Sequence, residues 1–344
     1  MKNLLLCAAA AAALTLGASG SALAFGPQGH EVVGAIADQL LRPPAAAKVK
    51  ALLGNMPLLR AATWADCAKN VEPVAGGQGL RYVADPRYHA ACQQFETAPG
   101  QARLVDYVKR NWSRCSSDPH AKACHKIYHF TDVAIQHDHY DRALAGTSDH
   151  DIVSVMGAAI ALLQGRKAPG PMSIKDKQEA LLLLAHLVGD LHQPLHVGSV
   201  YLDRANHPVD PGPAGRALDK STDTIGGNAI EDGHSNLHAD WDEIRRAINP
   251  LALPAPLLGA AKAVTPTPGD VKDWPAAWAS ATLLSARSAF DGLSFERAGA
   301  AKPADWVVKF ADRPAYEARR TALQERQLAL AGARLAQLLN TIWP

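Results

Sequence analysis

Apolar residues recur at every third or fourth position through most of this chain, the spacing that gathers them on one face of a helix. Residues 30–41 place Val33, Ile36, Ala37 and Leu40 on one stripe. Pro43 and Pro44 open a second short helix and Gly54 closes it, because proline suits the first turn and glycine the residue past the end. Helices follow over 101–111 and 149–163, the latter turning Ile152, Val153, Met156, Ile160 and Leu163 inward. Ser173 with Asp176 reads as a capping box for the most apolar segment, which runs to about His192 before Pro194 stops it. Residues 203–228, rich in Asp, Pro, Gly and Ser, read as a long surface loop. Beyond the polar link 265–270 comes a helix with Trp274 and Trp278. The last helix, over 314–339, sets a charged face against Leu323, Leu328, Ala331, Leu335 and Leu339. No strand alternation persists and no repeat is visible. The fold class expected is all-α: a single mostly helical domain with long loops.

The first residues follow a different pattern. Lys2 precedes an apolar run from Leu4 to Leu16, and Ala22-Leu23-Ala24 fits the small-x-small rule of an export signal. The run is too short to span a bilayer comfortably, which disfavours an uncleaved anchor. Residues 1–24 are therefore expected to be a signal peptide, with residues 25–344 the exported, periplasmic or secreted domain. Cleavage would free the amine of Phe25. Cys7 leaves with the signal, and Cys67, Cys92, Cys115 and Cys124 remain, an even number that suggests two disulfides in an exported chain. Sequence proximity favours Cys67 with Cys92 and Cys115 with Cys124, without excluding the two other pairings. Charge is nearly balanced, 35 Lys and Arg against 33 Asp and Glu, so a strongly basic, groove-wrapping nucleic-acid binder is not indicated. An anionic partner would have to be held by metals or by a few placed cations.

Histidines and carboxylates supply the chemistry. In "LLLLAHLVGDLHQPLH" (181–196), His186 and Asp190 are four residues apart and share one face of an apolar helix. Such a pair needs polar partners once buried. His196 arrives just past the break at Pro194, and "NLHADWD" (236–242) repeats the spacing with His238 and Asp242. One pair would suit an ion-paired core histidine; two pairs plus His196 indicate metal binding. Asp66 in "ATWADCAK" and His129 with Asp132 in "KIYHFTDV" offer similar groups, as does His30 in "GPQGHE". Imidazoles mixed with carboxylates, without thiolate, suit zinc in open, chemically active sites. His89, His125, His150, His192 and His234 read as non-ligands, and "QHDHY" (136–140) as a polar loop.

With these motifs in order, together with "GGN" (226–228) and the closing "LALAGARLAQLLN" (328–340), the chain resembles the S1/P1 family of zinc-dependent nucleases from Phe25 to the last helix. The resemblance implies the mostly helical fold shared by zinc-dependent phospholipase C and P1 nuclease, with three Zn2+ at the base of a cleft. It implies Asp66, His129, His186 and Asp190 as ligands of one ion. A second, sharing Asp190, would take His30 with the amine and carbonyl of Phe25. The third would take His196, His238 and Asp242. Phe25 stands where the family usually carries tryptophan, a change that touches ring packing and leaves backbone ligation possible. The stretch from Cys67 to Cys124 is longer than in the fungal and plant members.

The same resemblance implies a cation at Lys69, a base-stacking ring at Phe130 and, at Asp132, the carboxylate near the attacking water. Zinc lowers the pKa of bound water to about 7, so a hydroxide shared by two close ions can attack phosphorus in line. The third ion can stabilise the leaving 3′-oxygen. Expected substrates are single-stranded DNA and RNA, cut to 5′-phosphorylated nucleotides, and 3′-nucleotides. A monomer without a stable protein partner is expected. The rival readings are a zinc-dependent phospholipase C and a non-enzymatic periplasmic zinc-binding protein.

Overall fold

The structure, a computed structural model, describes residues 25–115, 123–213, 219–299 and 305–344. The expected signal peptide, residues 1–24, lies outside the described residues, as does part of the 203–228 loop. Helices α1 (Gly26–Leu40), α2 (Pro43–Leu53), α3 (Leu58–Ala61) and α4 (Trp64–Ala68) are followed by α5 (His89–Cys92), α6 (Ala98–Asn111) and α7 (Ile152–Leu163). Then come α8 (Lys177–His192), α9 (Leu237–Asp242), α10 (Ala255–Lys262), α11 (Trp274–Phe290) and α12 (Arg313–Ile342). Among the described residues no helix is long and apolar enough to cross a membrane.

The most apolar segment of the sequence is the central element. Every residue of α8 from Glu179 to His192 is buried, and the helix packs against α1, α2, α4, α7, α11 and α12. Its six leucines are each at most 4% exposed, and a fully buried leucine contributes about 1.5–3 kcal/mol. That sum holds the helix in the core although His186, Asp190 and His192 ride on it. Gly189 is what lets α1 come so close: a Cβ there would lie 2.9 Å from His30 Nδ1.

Several ends differ from the sequence reading. The cap of α8 is Asp176, whose side chain accepts from the Glu179 N–H, while Glu179 accepts in turn from the Lys175 N–H. The capping box with Ser173 as its first member is therefore corrected. The Ser173 carbonyl is occupied by Arg110 and Asn111. Thr97 and Asp151 cap α6 and α7, which starts α6 three residues earlier than expected and α7 three later.

Short strands accompany the helices. Leu293–Arg297 pairs antiparallel with Trp306–Phe310, which runs parallel to Ile230–Asp232, itself antiparallel to Ser235–Asn236. This small sheet, with Trp241 and Trp306 in a second apolar cluster, delivers the chain into α9, whose cap Asn236 accepts from the Ala239 N–H. The disulfides join Cys67 to Cys92 and Cys115 to Cys124, as sequence proximity favoured.

His125 is fully buried, stacked beside Trp112 and edge-on to Tyr107. Burial, reinforced by His129 and the Lys126 charge, holds its imidazole down at about 3. The unfolded value is about 6.5, so its contribution to stability is complete above that pH and is lost as pH falls towards 3. In urea unfolding at pH 7 and pH 4, His125→Phe should therefore show a smaller acid-induced loss than the parent; an equal loss would refute the assignment.

Candidate metal centre

Four elements bring five polar side chains to one buried place. His30 comes from the first turns of α1, Asp66 from α4, His129 from the end of a 3-10 turn at Cys124–His129, and His186 and Asp190 from α8. Asp190 is the hinge of the arrangement. Its Oδ2 lies 2.8 Å from His129 Nδ1 and 3.0 Å from His186 Nε2, while its Oδ1 lies 3.1 Å from His30 Nε2. One carboxylate thus faces two sets of ligand atoms at once. Asp66 Oδ1 stands 3.6 Å from His186 Nε2 and takes Lys69 Nζ at 2.7 Å, while its Oδ2 lies 4.0 Å from His30 Nε2.

A second group lies beside the first. His196 ends the short turn Pro194–His196, and His238 and Asp242 share a face of α9. His196 Nδ1 is 2.8 Å from the His129 carbonyl, and His238 Nδ1 is 2.7 Å from the Gly226 carbonyl. A carbonyl only accepts, so both Nδ1 atoms carry the proton and donate. The two Nε2 atoms, 2.9 Å apart, then face each other as bare lone pairs. Two acceptors at that distance require a positive charge between them. Gly226 makes the support possible: its φ is +54°, and a Cβ there would lie 2.5 Å from the Leu195 carbonyl.

The same orientation recurs at His186, whose Nδ1 donates to the Ala62 carbonyl at 2.7 Å and so turns a bare Nε2 inward. Such outer hydrogen bonds fix tautomer and ring direction in metal sites. Burial opposes charge here, yet Asp190 and Asp66 outweigh it and lift His186 above its ordinary value. Burial holds His129 and His196 down at about 3 and His238 at about 4. For Asp66 burial pushes upward, but Lys69, His186 and His30 prevail and bring it to about 2. Asp242 is raised well above the usual range by burial, in spite of a 2.7 Å hydrogen bond from Gln193 Nε2. Its Oδ2 and His30 Nδ1 are buried without a hydrogen-bond partner, and His30 Nε2 meets Asp190 Oδ1 at 3.1 Å without hydrogen-bond geometry.

Orphaned buried atoms, opposed lone pairs and oxygen-plus-imidazole donor sets all fit divalent metal. Among the described residues three groups could hold an ion: His30 with Asp66 and His186, His129 with His186 and Asp190, and His196 with His238 and Asp242. These are the side chains singled out from the sequence, although His30 approaches Asp66 as well as Asp190. Phe25 is buried one turn before His30, in a left-handed conformation with φ of 34°, and its carbonyl accepts from the Gly29 N–H at 3.0 Å. His192 points away, to the Val188 carbonyl and Arg334.

A cavity of about 200 Å³ opens over the second group. Lys69, Phe130 and Asp132 line it, as do His129, His196 and His238. Asp132 is raised well above the usual carboxylate range by burial and by Asp223. The cavity also has Lys126, Ile225 and Asn228 in its wall, which sequence reasoning passed over. Asn228 lay in plain view in "GGN", and Gln193 in "HQPLH". Ile225 gave no signal: it is half exposed with φ of 54°, an unusual conformation for a β-branched residue.

Comparison with known proteins agrees with this geometry. The model of the S1/P1 nuclease family matches residues 25–123 and 102–344. Endonuclease 4 of Arabidopsis thaliana is 25% identical over 180 residues, which cover 52% of this chain and 46% of that protein. The alignment thus spans about half the length of this curated relative. With the family match running over nearly all of the described residues and the His/Asp groups gathered as they are, the chain belongs to the S1/P1 nuclease family.

Proposed function

We propose that the protein is an exported zinc-dependent phosphodiesterase that cleaves single-stranded DNA and RNA to 5′-phosphorylated nucleotides and removes phosphate from 3′-nucleotides. The observation that carries this reading is the joining of two metal-competent groups to one cavity that also holds an aromatic ring and a lysine. The phospholipase and zinc-storage readings gain no specific observation.

The proposed ligands are Asp66, His129, His186 and Asp190 for one zinc, His30, Asp190 and the Phe25 backbone for a second, and His196, His238 and Asp242 for a third. Bound zinc supplies Lewis acidity and a hydroxide source at neutral pH. Lys69, fixed by Asp66 at 2.7 Å, faces the cavity and offsets charge growing on phosphoryl oxygens. Asp132, held by its buried setting, orients the attacking water. The Phe130 ring, only partly buried, offers a stacking surface. A base must be unpaired to use it, which favours single strands. A near-neutral chain can bind an anionic substrate here because the positive charge is concentrated at the site.

His186→Ala removes a side chain shared by two of the groups. It should strip zinc from the purified protein and abolish cleavage of single-stranded DNA; an active, zinc-poor variant would sink the ligand assignment.

The terminal residue gives a second test. Leaving a Met or a tag in front of Phe25 should cripple cleavage while the far-ultraviolet circular dichroism spectrum stays helical. Full activity in that protein would remove Phe25 from the metal site.

A further inference from the structure

A second cavity, also about 200 Å³, opens on the far side of Lys69 and Lys126. These two lysines line both cavities, so they form the partition between them. The floor of the second is Thr63 and the buried Cys67–Cys92 disulfide. Its outer wall is the segment Asp85–Tyr88, inside the stretch between Cys67 and Cys124. Tyr88 is half-buried, and the Arg87 guanidinium sits 5.3 Å from its ring centroid.

The charges in this wall are already sorted. Both Asp85 oxygens are taken by Arg87, at 2.7 to 3.1 Å, and Asp66 is engaged by Lys69. Glu72 faces Lys126. Burial and the nearby Lys69 charge both hold the Lys126 ammonium below its ordinary value, as expected where two cations share a partition. A ligand with an anionic link at the partition and a flat ring on the tyrosine side would match both features.

We propose that the second cavity seats a further nucleotide of the same substrate strand. Its base would lie on Tyr88 and its phosphate would lie between Lys69 and Lys126. The base on Phe130 and the base on Tyr88 then flank the phosphates held at the partition, and a strand is gripped at two successive points. A mononucleotide occupies the first cavity alone. The second cavity therefore separates cleavage of a strand from removal of phosphate from a 3′-nucleotide. This inference rests on the nuclease reading.

The test compares Tyr88→Ala and Tyr88→Phe with the parent, each loaded with zinc. Substrates are a single-stranded hexathymidylate and 3′-adenylate. Tyr88→Ala should lower kcat/KM for the hexathymidylate about 5- to 150-fold, the range set by base–aromatic stacking. The loss should fall mainly in KM. Hydrolysis of 3′-adenylate should stay at the parent rate, and Tyr88→Phe should restore strand cleavage. Equal losses on both substrates, or no loss on either, would overturn the proposal. Fluorescence anisotropy with a phosphorothioate-linked hexathymidylate measures binding without turnover. If the parent cleaves neither substrate, the nuclease reading fails. The subsite then stands only if Tyr88→Ala still weakens that binding, and falls if it does not.

Discussion

Everything else in this protein accommodates a cluster of ionisable groups buried at the centre of an apolar helical core. Taking carboxylates and imidazoles out of water is costly unless each finds a counter-charge. Only part of that compensation is internal: Lys69 answers Asp66, and backbone carbonyls hold the outer nitrogens of His186, His196 and His238. The inner lone pairs are left turned towards one another. The surrounding leucines of α8, the glycine approach of α1 and the disulfide beside Asp66 resist the rearrangement that would relieve them.

The support is spread over distant parts of the sequence. The carbonyl of His129 orients His196, and that of Gly226 orients His238. Gln193, next to the break that ends α8, steadies Asp242. Residues far apart in the chain therefore set each other's ring directions, so the geometry belongs to the fold as a whole.

The ligand candidates were legible in the sequence because the i,i+4 spacing of His186 with Asp190, and of His238 with Asp242, is a local property of a helix. The helices were legible for the same reason, since burial on one side imposes a period. The strands were not. Segments such as Ser235–Asn236 are too short to show alternation, and their pairing with Ile230–Asp232 depends on a neighbour, Trp306–Phe310, more than seventy residues later. The cap of α8 was misplaced because Ser173 and Asp176 are both competent caps, and Arg110 and Asn111, which occupy Ser173, lie far upstream. The cavity walls were hidden in the same way. Lys126 and Tyr88 have no distinguishing spacing and acquire meaning only once Cys67 and Cys92 fold their segments against α4.

Asp190 carries a constraint of its own. Its two oxygens, about one carboxylate width apart, face different ligand sets, yet both are fixed to a single backbone position on a helix packed on every side. Neither set can be shifted, loosened or retuned without moving the other. The two sets behave as one mechanical part, and evolution could adjust them only together.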